Sequence, residues 1–179
     1  MRPQWRPTWR DYKLDAQIVE SETTPMRVTE QSQLLRINDL IHDFWFDYDE
    51  EDPESSGVKL DPTEELLEIE YRWEDWSNPR RDSGGFLRST LLIPSFRGFL
   101  RVFHVGEAQI HDRAQIGGST FNVIEFEPST STVRIKTNIP IEISVVVSRL
   151  EVEVEITDES TGEVTAKEYL GGLIQSGPN

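Results

Sequence analysis

Apolar and polar residues alternate along several short segments of the chain, which is the pattern of half-buried β-strands. The clearest example spans residues 149–156, where four aliphatic side chains alternate with one arginine and three glutamates. The same alternation occurs over 44–48 and over 67–73. One apolar face and one solvated face are typical of antiparallel sheets, so this pattern predicts strands of that kind.

Further strands are predicted where β-branched and aromatic residues are bounded by turn residues. Pro94 and Gly98 separate the first two of them, the sequence "EPST" joins the next two as a hairpin, and "DESTGE" turns the chain before the last. Residues 77–85, "SNPRRDSGG", form a loop by composition. The predicted strands are 86–93, 99–105, 121–126, 132–137, 141–156 and 164–170.

Two segments carry helix signals. Residues 29–41 place Leu34, Ile37 and Ile41 on one helical face, with Thr29 as a possible N-cap, and this predicts a short amphipathic helix. A strand that begins near Leu34 is the alternative. The sequence "DPTE" at 61–64 resembles a helix start, but the alternation that follows it favours a turn and then a strand.

Strands at a spacing of roughly ten residues with few helices predict a mainly β fold. We expect an antiparallel β-sandwich or open barrel with at most one or two short helices. No glycine-rich loop follows a strand, which argues against a nucleotide-binding α/β fold. The expected organisation is an extended N-terminal arm at 1–13, a single β-rich domain at 14–170 and a flexible tail at 171–179.

The amino-acid composition excludes several classes of functional site and of protein. The chain has 179 residues, of which 36% are hydrophobic, enough for one core without disulfides. It contains no cysteine, so thiol nucleophiles and cysteine-ligated zinc are excluded. No apolar stretch approaches the roughly 18 residues of a membrane span, and no apolar run follows the basic N-terminus as in a secretory signal. We therefore expect a soluble cytoplasmic protein.

Negative charge is concentrated in one fifth of the sequence. The net charge is −15, and residues 42–75 hold fourteen acidic residues against only Lys59 and Arg72. A surface of this kind repels nucleic acids and anionic membranes and attracts a basic protein. The densest part of the segment predicts a partner-binding surface, formed by Asp47, Asp49, Glu50, Glu51 and Asp52.

The N-terminal arm has the opposite character. The tandem sequences "RPQW" and "RPTW" alternate arginine, proline and tryptophan, and proline favours an extended conformation. Arg2, Trp5, Arg6 and Trp9 could dock on the acidic segment of the same chain or of a neighbouring subunit, which would give a homo-oligomer. The alternative is that the tryptophans cover an apolar patch of their own chain.

Metal binding is a further possibility. His104 and His111, with Glu107 or Asp112, supply the ligand types of zinc, manganese or iron sites. Asp47, Asp49 and Asp52 could contribute to a calcium loop. The stretch from Asp47 does not fit the EF-hand, because Asp52 stands at the glycine position and Val58 at the final glutamate position. No catalytic set and no cofactor motif emerges from the sequence.

The leading functional hypothesis is a non-catalytic binding or assembly module with an acidic face and a basic Arg-Pro-x-Trp arm. One alternative is an inhibitor of a cationic partner, such as an immunity-type protein that neutralises a nuclease toxin. Its interface would use Trp45, Tyr48, Trp73 and Trp76 as anchors if they are exposed. Another alternative is a metal-dependent enzyme or a calcium-stabilised β module.

Overall fold

A computed structural model describes residues 25–52, 55–84, 88–112, 117–138, 141–169 and 172–175. These residues form twelve strands, a 3₁₀ turn at Gln31–Gln33 and one α-helix, α1, at Leu34–Ile41. No helix in these ranges is long and apolar enough to cross a membrane. The strands are β1 Met26–Val28, β2 Trp45–Asp47, β3 Val58–Asp61, β4 Leu66–Glu74, β5 Arg80–Gly84, β6 Arg88–Phe103, β7 Val105–Asp112, β8 Gly118–Glu127, β9 Thr132–Thr137, β10 Ile141–Val147, β11 Val152–Tyr169 and β12 Gly172–Gln175.

All strand pairs are antiparallel, and the main path through the sheet is β1-β11-β6-β4-β2-β8-β9-β10-β7. Strands β3, β5 and β12 pair with β4, β6 and β11. The path is open, since β1 and β7 stand at its two ends. The mainly β, antiparallel fold with one short helix confirms the fold class predicted from the alternation pattern.

The apolar face of the sheet encloses one main core. Buried side chains from β4, β6 and β11 share a single cluster with those from β8, β9 and β10. At its centre Phe46 stacks on Phe121 at 4.8 Å, and Tyr71 meets Phe121 edge-on at 5.9 Å. A second, small cluster of Leu91, Ile93 and Ala166 lies on the far halves of β6 and β11.

The predicted break of β6 at Pro94 and Gly98 is wrong, because β6 runs continuously through both residues. Pro94 lies where one edge of β6 changes partner, from β5 at Leu92 to β4 at Ser95. A proline without an N–H is tolerated at such a point because no ladder bond is required there. Its carbonyl still accepts a hydrogen bond from Asp75 N at 2.8 Å.

Gly98 makes room for a tyrosine that crosses β6. Tyr71 of β4 is the register partner of Gly98, and its hydroxyl donates to the carbonyl of Glu155 in β11 at 3.0 Å. A Cβ at residue 98 would lie only 2.3 Å from Tyr71 Cε2. The glycine is therefore part of the packing of a central strand and does not end it.

Strands β10 and β11 begin and end at residues other than those predicted from the sequence. Residues 141–156 are not one strand, because β10 ends at Val147 and β11 begins at Val152. "DESTGE" does not turn the chain either, since β11 continues to Tyr169 along β6 with register shifts between Ile156 and Gly162. Bulges add residues to a strand without ending its pairing, so turn-rich composition is a poor guide here.

The helix prediction is confirmed at 34–41, with Leu34, Ile37, Leu40 and Ile41 buried. Thr29 is not its N-cap: the preceding 3₁₀ turn has Glu30 at that position, and no side chain caps it. The helix covers an edge of β8 through Asn38. The Asn38 side chain accepts from Ile124 N at 2.7 Å and donates to Ile124 O at 3.0 Å, as a neighbouring strand would.

Two further segments differ from the sequence-based expectation. The predicted loop at 77–85 contains β5, which pairs with β6. Within 171–179, where the sequence predicts a flexible tail, residues Gly172–Gln175 pair with β11 as β12. Composition missed both because a sheet edge supplies hydrogen bonds to short polar or glycine-rich segments that have no apolar pattern of their own.

Candidate functional site

The acidic segment begins with an aspartate that has partners. Asp47 ends β2, and its Oδ1 accepts the indole N–H of Trp45 at 2.8 Å. Arg72 of β4 lies alongside, with Nη2 3.4 Å from both Asp47 oxygens. Asp47 is therefore held at the sheet by one strong hydrogen bond and one weak, solvent-exposed ion pair.

In the loop that follows, one carboxylate accepts backbone hydrogen bonds and the next three are exposed. Asp49 Oδ1 accepts the backbone N–H groups of Glu51 at 2.8 Å and of Asp52 at 3.1 Å, which forms an Asx turn. This turn points the side chains of residues 50–52 into solvent, where they are exposed. Among the described residues, no ion pair reaches Glu50, Glu51 or Asp52. We call residues 49–52 the acidic loop.

Tyr48 fastens the acidic loop to the core. Its ring is buried, and its backbone N–H donates to the carbonyl of Gly117 at 3.3 Å. Burial is the largest cause that raises the pKa of Tyr48 above its ordinary value. The negative charges of Glu50, Asp112 and Asp49 raise it further, so the end of β7 adds its carboxylate to the same negative region.

Two glutamates of the acidic segment, Glu68 and Glu70, are paired with arginines together with glutamates of β11. On the outer face of the sheet Arg101 of β6 contacts Glu68 at 2.7 Å, Glu153 at 3.0 Å and Glu155 at 2.6 Å. Burial acts to lower the pKa of Arg101, but the bonds to the three glutamates outweigh it and the pKa is raised. Arg97 likewise contacts Glu70 and Glu159, each at 3.0 Å.

A third charged group surrounds the corner between β6 and β7. His104 adopts a left-handed backbone conformation (φ 61°) there, and its Nε2 lies 2.7 Å from Oε2 of Glu151. Glu151 is only 8% exposed, and it also contacts Arg27 of β1 and Arg149. The hydrogen bond from His104 is the largest cause that holds the pKa of Glu151 below its ordinary value.

The structure separates the predicted metal ligands. His104 faces Glu151, whereas His111 lies on β7 opposite Glu142. Asp47 and Asp49 are engaged with Trp45 and with the backbone of the acidic loop, and Asp52 is exposed. Within the described ranges, no three histidine, aspartate or glutamate side chains come together as ligands of a metal ion.

Of the four aromatic residues predicted as interface anchors, two are buried and two are partly exposed. Tyr48 and Trp73 are buried, and Trp73 stacks on Phe96 at 4.9 Å, so these two rings belong to the core. Trp45 and Trp76 are partly exposed. The arm residues Arg2, Trp5, Arg6 and Trp9 lie outside the described residues.

The arginine and histidine partners of the glutamates on the sheet face could not be identified from the sequence. The alternation at 149–156 places Glu151, Glu153 and Glu155 on the polar face, as the structure has them. Their partners Arg27 and Arg101 are distant in sequence, and only the sheet order brings them alongside.

Comparisons of the chain with models of known protein families, with curated proteins and with solved structures give no match.

Proposed function

We propose that the protein is a non-catalytic binding or assembly module that uses the acidic loop to engage a basic protein segment. One observation carries the proposal. Five glutamates on the face of the sheet form ion pairs with Arg97 or Arg101, whereas Glu50, Glu51 and Asp52 have no ion pair among the described residues. The unpaired carboxylates of the acidic loop lie close together in sequence and are available to a partner.

The Asx turn of Asp49 and the buried ring of Tyr48 support the same function. They restrict the backbone of the loop, which reduces the entropy lost on association. An acidic surface of this kind accelerates association with cationic partners, and salt weakens the effect.

The basic segment with the best chemical match is the chain's own arm. Residues 1–13 carry Arg2, Arg6 and Arg10 beside Trp5 and Trp9. Arginine supplies charge and bidentate donors for carboxylates, and tryptophan supplies apolar area. The proposed contact is made within one chain or between two copies, and in the second case it gives a homo-oligomer.

A peptide titration tests the proposal. A synthetic peptide of residues 1–13 is titrated into the full chain that carries Arg2→Glu and Arg6→Glu, so that its own arm does not compete. We expect binding that weakens with salt and is lost when Glu50→Lys and Glu51→Lys are added. The matched control adds Glu64→Lys and Asp82→Lys, two exposed positions with the same total change of charge. Equal binding to the acidic-loop variant and the control would contradict the proposal.

A further inference from the structure

The free edges of the sheet differ in how well they are protected. Strands β1, β3 and β12 are three or four residues long, and β5 carries Arg80, Arg81 and Asp82. The edge of β8 beyond β2 is covered by Asn38 of α1 and by Gln31 of the preceding 3₁₀ turn, which donates to Phe126 O at 3.1 Å. Short length, charge and a covering helix are the usual means by which proteins prevent unwanted strand pairing.

Strand β7 carries Glu107, His111 and Asp112, but it is neither short nor covered by a helix among the described residues. It is eight residues long, contains neither proline nor lysine, and in the part of the chain that the structure describes it pairs only with β10. Its register with β10 is regular from Glu107 to Asp112. The outer edge of β7 therefore presents a straight row of backbone donors and acceptors to a further strand.

We infer that β7 pairs antiparallel with β7 of a second copy of this chain, about a two-fold axis at Gln109. This inference rests on the proposed assembly function and names one partner and one surface for it. A two-fold dimer must join the same patch of both copies, and an antiparallel pair of identical strands satisfies this condition. The result is one continuous sheet through two molecules.

Hydrogen-bonding complementarity of facing side chains selects the register. Glu107, Gln109 and His111 are exposed on one face of β7, while Ala108 and Ile110 are partly buried on the other. With the axis at Gln109, each Glu107 lies opposite His111 of the second copy, and each Ala108 lies opposite Ile110 of the second copy. An imidazole N–H can donate to a carboxylate that lies opposite it, whereas like charges directly opposite each other destabilise a sheet.

The neighbouring registers lack this match. An axis at Ala108 places Glu107 opposite Gln109, and an axis at Ile110 places Ala108 opposite Asp112. An axis at Glu107 brings two carboxylates together. Axes between two residues would place core-facing side chains of one copy on the outer face of the other, because strand faces alternate with a period of two.

The salt dependence separates this contact from the acidic-loop contact. Two copies of net charge −15 repel each other, and salt screens that repulsion. Edge pairing therefore strengthens when ionic strength rises from about 0.01 M to about 0.15 M, where the screening length falls from roughly 30 Å to roughly 8 Å. A contact between the acidic loop and a basic arm weakens over the same range.

Two charge variants test the register in the full chain. Glu107→Lys places a cation opposite His111 of the second copy, and His111→Glu places two carboxylates opposite each other. By sedimentation velocity we expect each variant to dimerise more weakly than the native chain by about tenfold or more. Because Glu142 of β10 also faces residue 111, circular dichroism checks that His111→Glu is folded.

Mixing the two variants gives the decisive result. In a heterodimer each cross-strand pair combines a cation or histidine with a glutamate, so the equimolar mixture recovers dimers that neither variant forms alone. Asp39→Lys is the control for Glu107→Lys, since it changes the net charge by the same amount from an exposed position on α1 and leaves β7 unchanged. Recovery in the mixture alone supports the inference.

Other outcomes overturn it. A native chain that stays monomeric at all salt concentrations, or β7 variants that dimerise like the native chain, would exclude edge pairing. Loss of dimers with Arg2→Glu and Arg6→Glu while both β7 variants still dimerise would assign assembly to the arm, and the proposed function would stand without this inference. Loss with the β7 variants and no effect of the arm and acidic-loop variants would support edge pairing and reject an arm contact between two copies.

Discussion

Gly98 and Tyr71 depend on each other at the centre of the sheet. The tyrosine ring crosses β6 above the glycine, and its hydroxyl reaches the backbone of β11. From the sequence, Gly98 is predicted to separate two strands, which is a reasonable prediction for an isolated segment. Only the pairing of β4 with β6 reveals that the missing side chain is the space occupied by Tyr71.

Gly98→Ala is expected to destabilise the fold by about 1–3 kcal/mol, the usual cost of overpacking a filled core. The new methyl group would lie 2.3 Å from the ring of Tyr71, so the ring must move and its hydrogen bond to Glu155 O is lost. The free energy of unfolding in urea measures the effect.

Gly106→Ala is the matched control for this substitution. A Cβ there would meet only Val146 O at 3.7 Å, an ordinary contact. Replacing a glycine without strain changes stability by less than about 1 kcal/mol, in the stabilising direction. Equal losses at the two glycines would contradict the packing role assigned to Gly98.

At the scale of elements, α1 takes the position of a neighbouring strand at the edge of β8. Its apolar face was readable from the spacing of Leu34, Ile37 and Ile41. Its use of Asn38 to pair with both backbone groups of Ile124 was not readable, because the β8 edge that it covers is 86 residues away. A periodic pattern predicts that a helix has a buried face but not which element lies against it.

Asn38→Ala is expected to lower the free energy of unfolding by about 2 kcal/mol. The substitution leaves the N–H and C=O of Ile124 unpaired in a partly buried position, and unpaired buried groups cost roughly 1–3 kcal/mol each. Asp39→Ala, one residue further along and exposed, is the control and should change stability by less than about 0.5 kcal/mol. The comparison uses urea unfolding of both variants, and similar losses in both would show that general helix stability, not the edge contact, is being measured.

At the scale of the whole molecule, the acidic residues have two distinct roles. Those on the sheet face form ion pairs that join β4, β6 and β11, whereas Glu50, Glu51 and Asp52 of the acidic loop have no ion pair among the described residues. Glu151 belongs to the first group and ties β1 and the corner at His104 to the start of β11. Removing its charge should therefore affect the acid stability of the whole fold.

The pH dependence follows from the pKa of Glu151, which is lower in the folded protein than its ordinary value of about 4.3. A carboxylate with a lowered folded pKa contributes stability above its unfolded pKa and loses it as the pH falls through the folded pKa. Glu151→Gln is expected to cost about 2 kcal/mol at pH 7, and the difference from the native chain should shrink below about pH 4. Urea midpoints over a pH series measure both effects.

Glu125→Gln serves as the comparison for Glu151→Gln. Glu125 pairs with Lys136 at 2.7 Å, but both side chains are more than 40% exposed, and such pairs contribute roughly 0–1 kcal/mol. A loss at Glu151 that stays constant from pH 7 to pH 3 would mean that shape, and not charge, explains the cost of the substitution.

Local patterns predicted the elements better than their ends. The strands at 67–73, 121–126 and 132–137 and the helix at 34–41 were visible because one face of each must be apolar. The boundaries at Pro94, at 148–151 and at 157–163 were misplaced, since turn-forming residues are tolerated at partner changes and bulges. Short strands such as β1 and β12 had no visible pattern, because the pairing of neighbouring strands forms them.

The sequence by itself determined the class of this protein: mainly β, acidic, without cysteine chemistry, and with its negative charge concentrated in one segment. These properties follow from composition and from periods of two or 3.6 residues, which are local. Tertiary structure alone decided which carboxylates are paired with arginines, which rings are buried and which strands pair with each other. Those outcomes depend on partners far apart in the chain, such as Arg101 with Glu68 or Asn38 with Ile124, and the sheet order that brings them together is not written in any single segment.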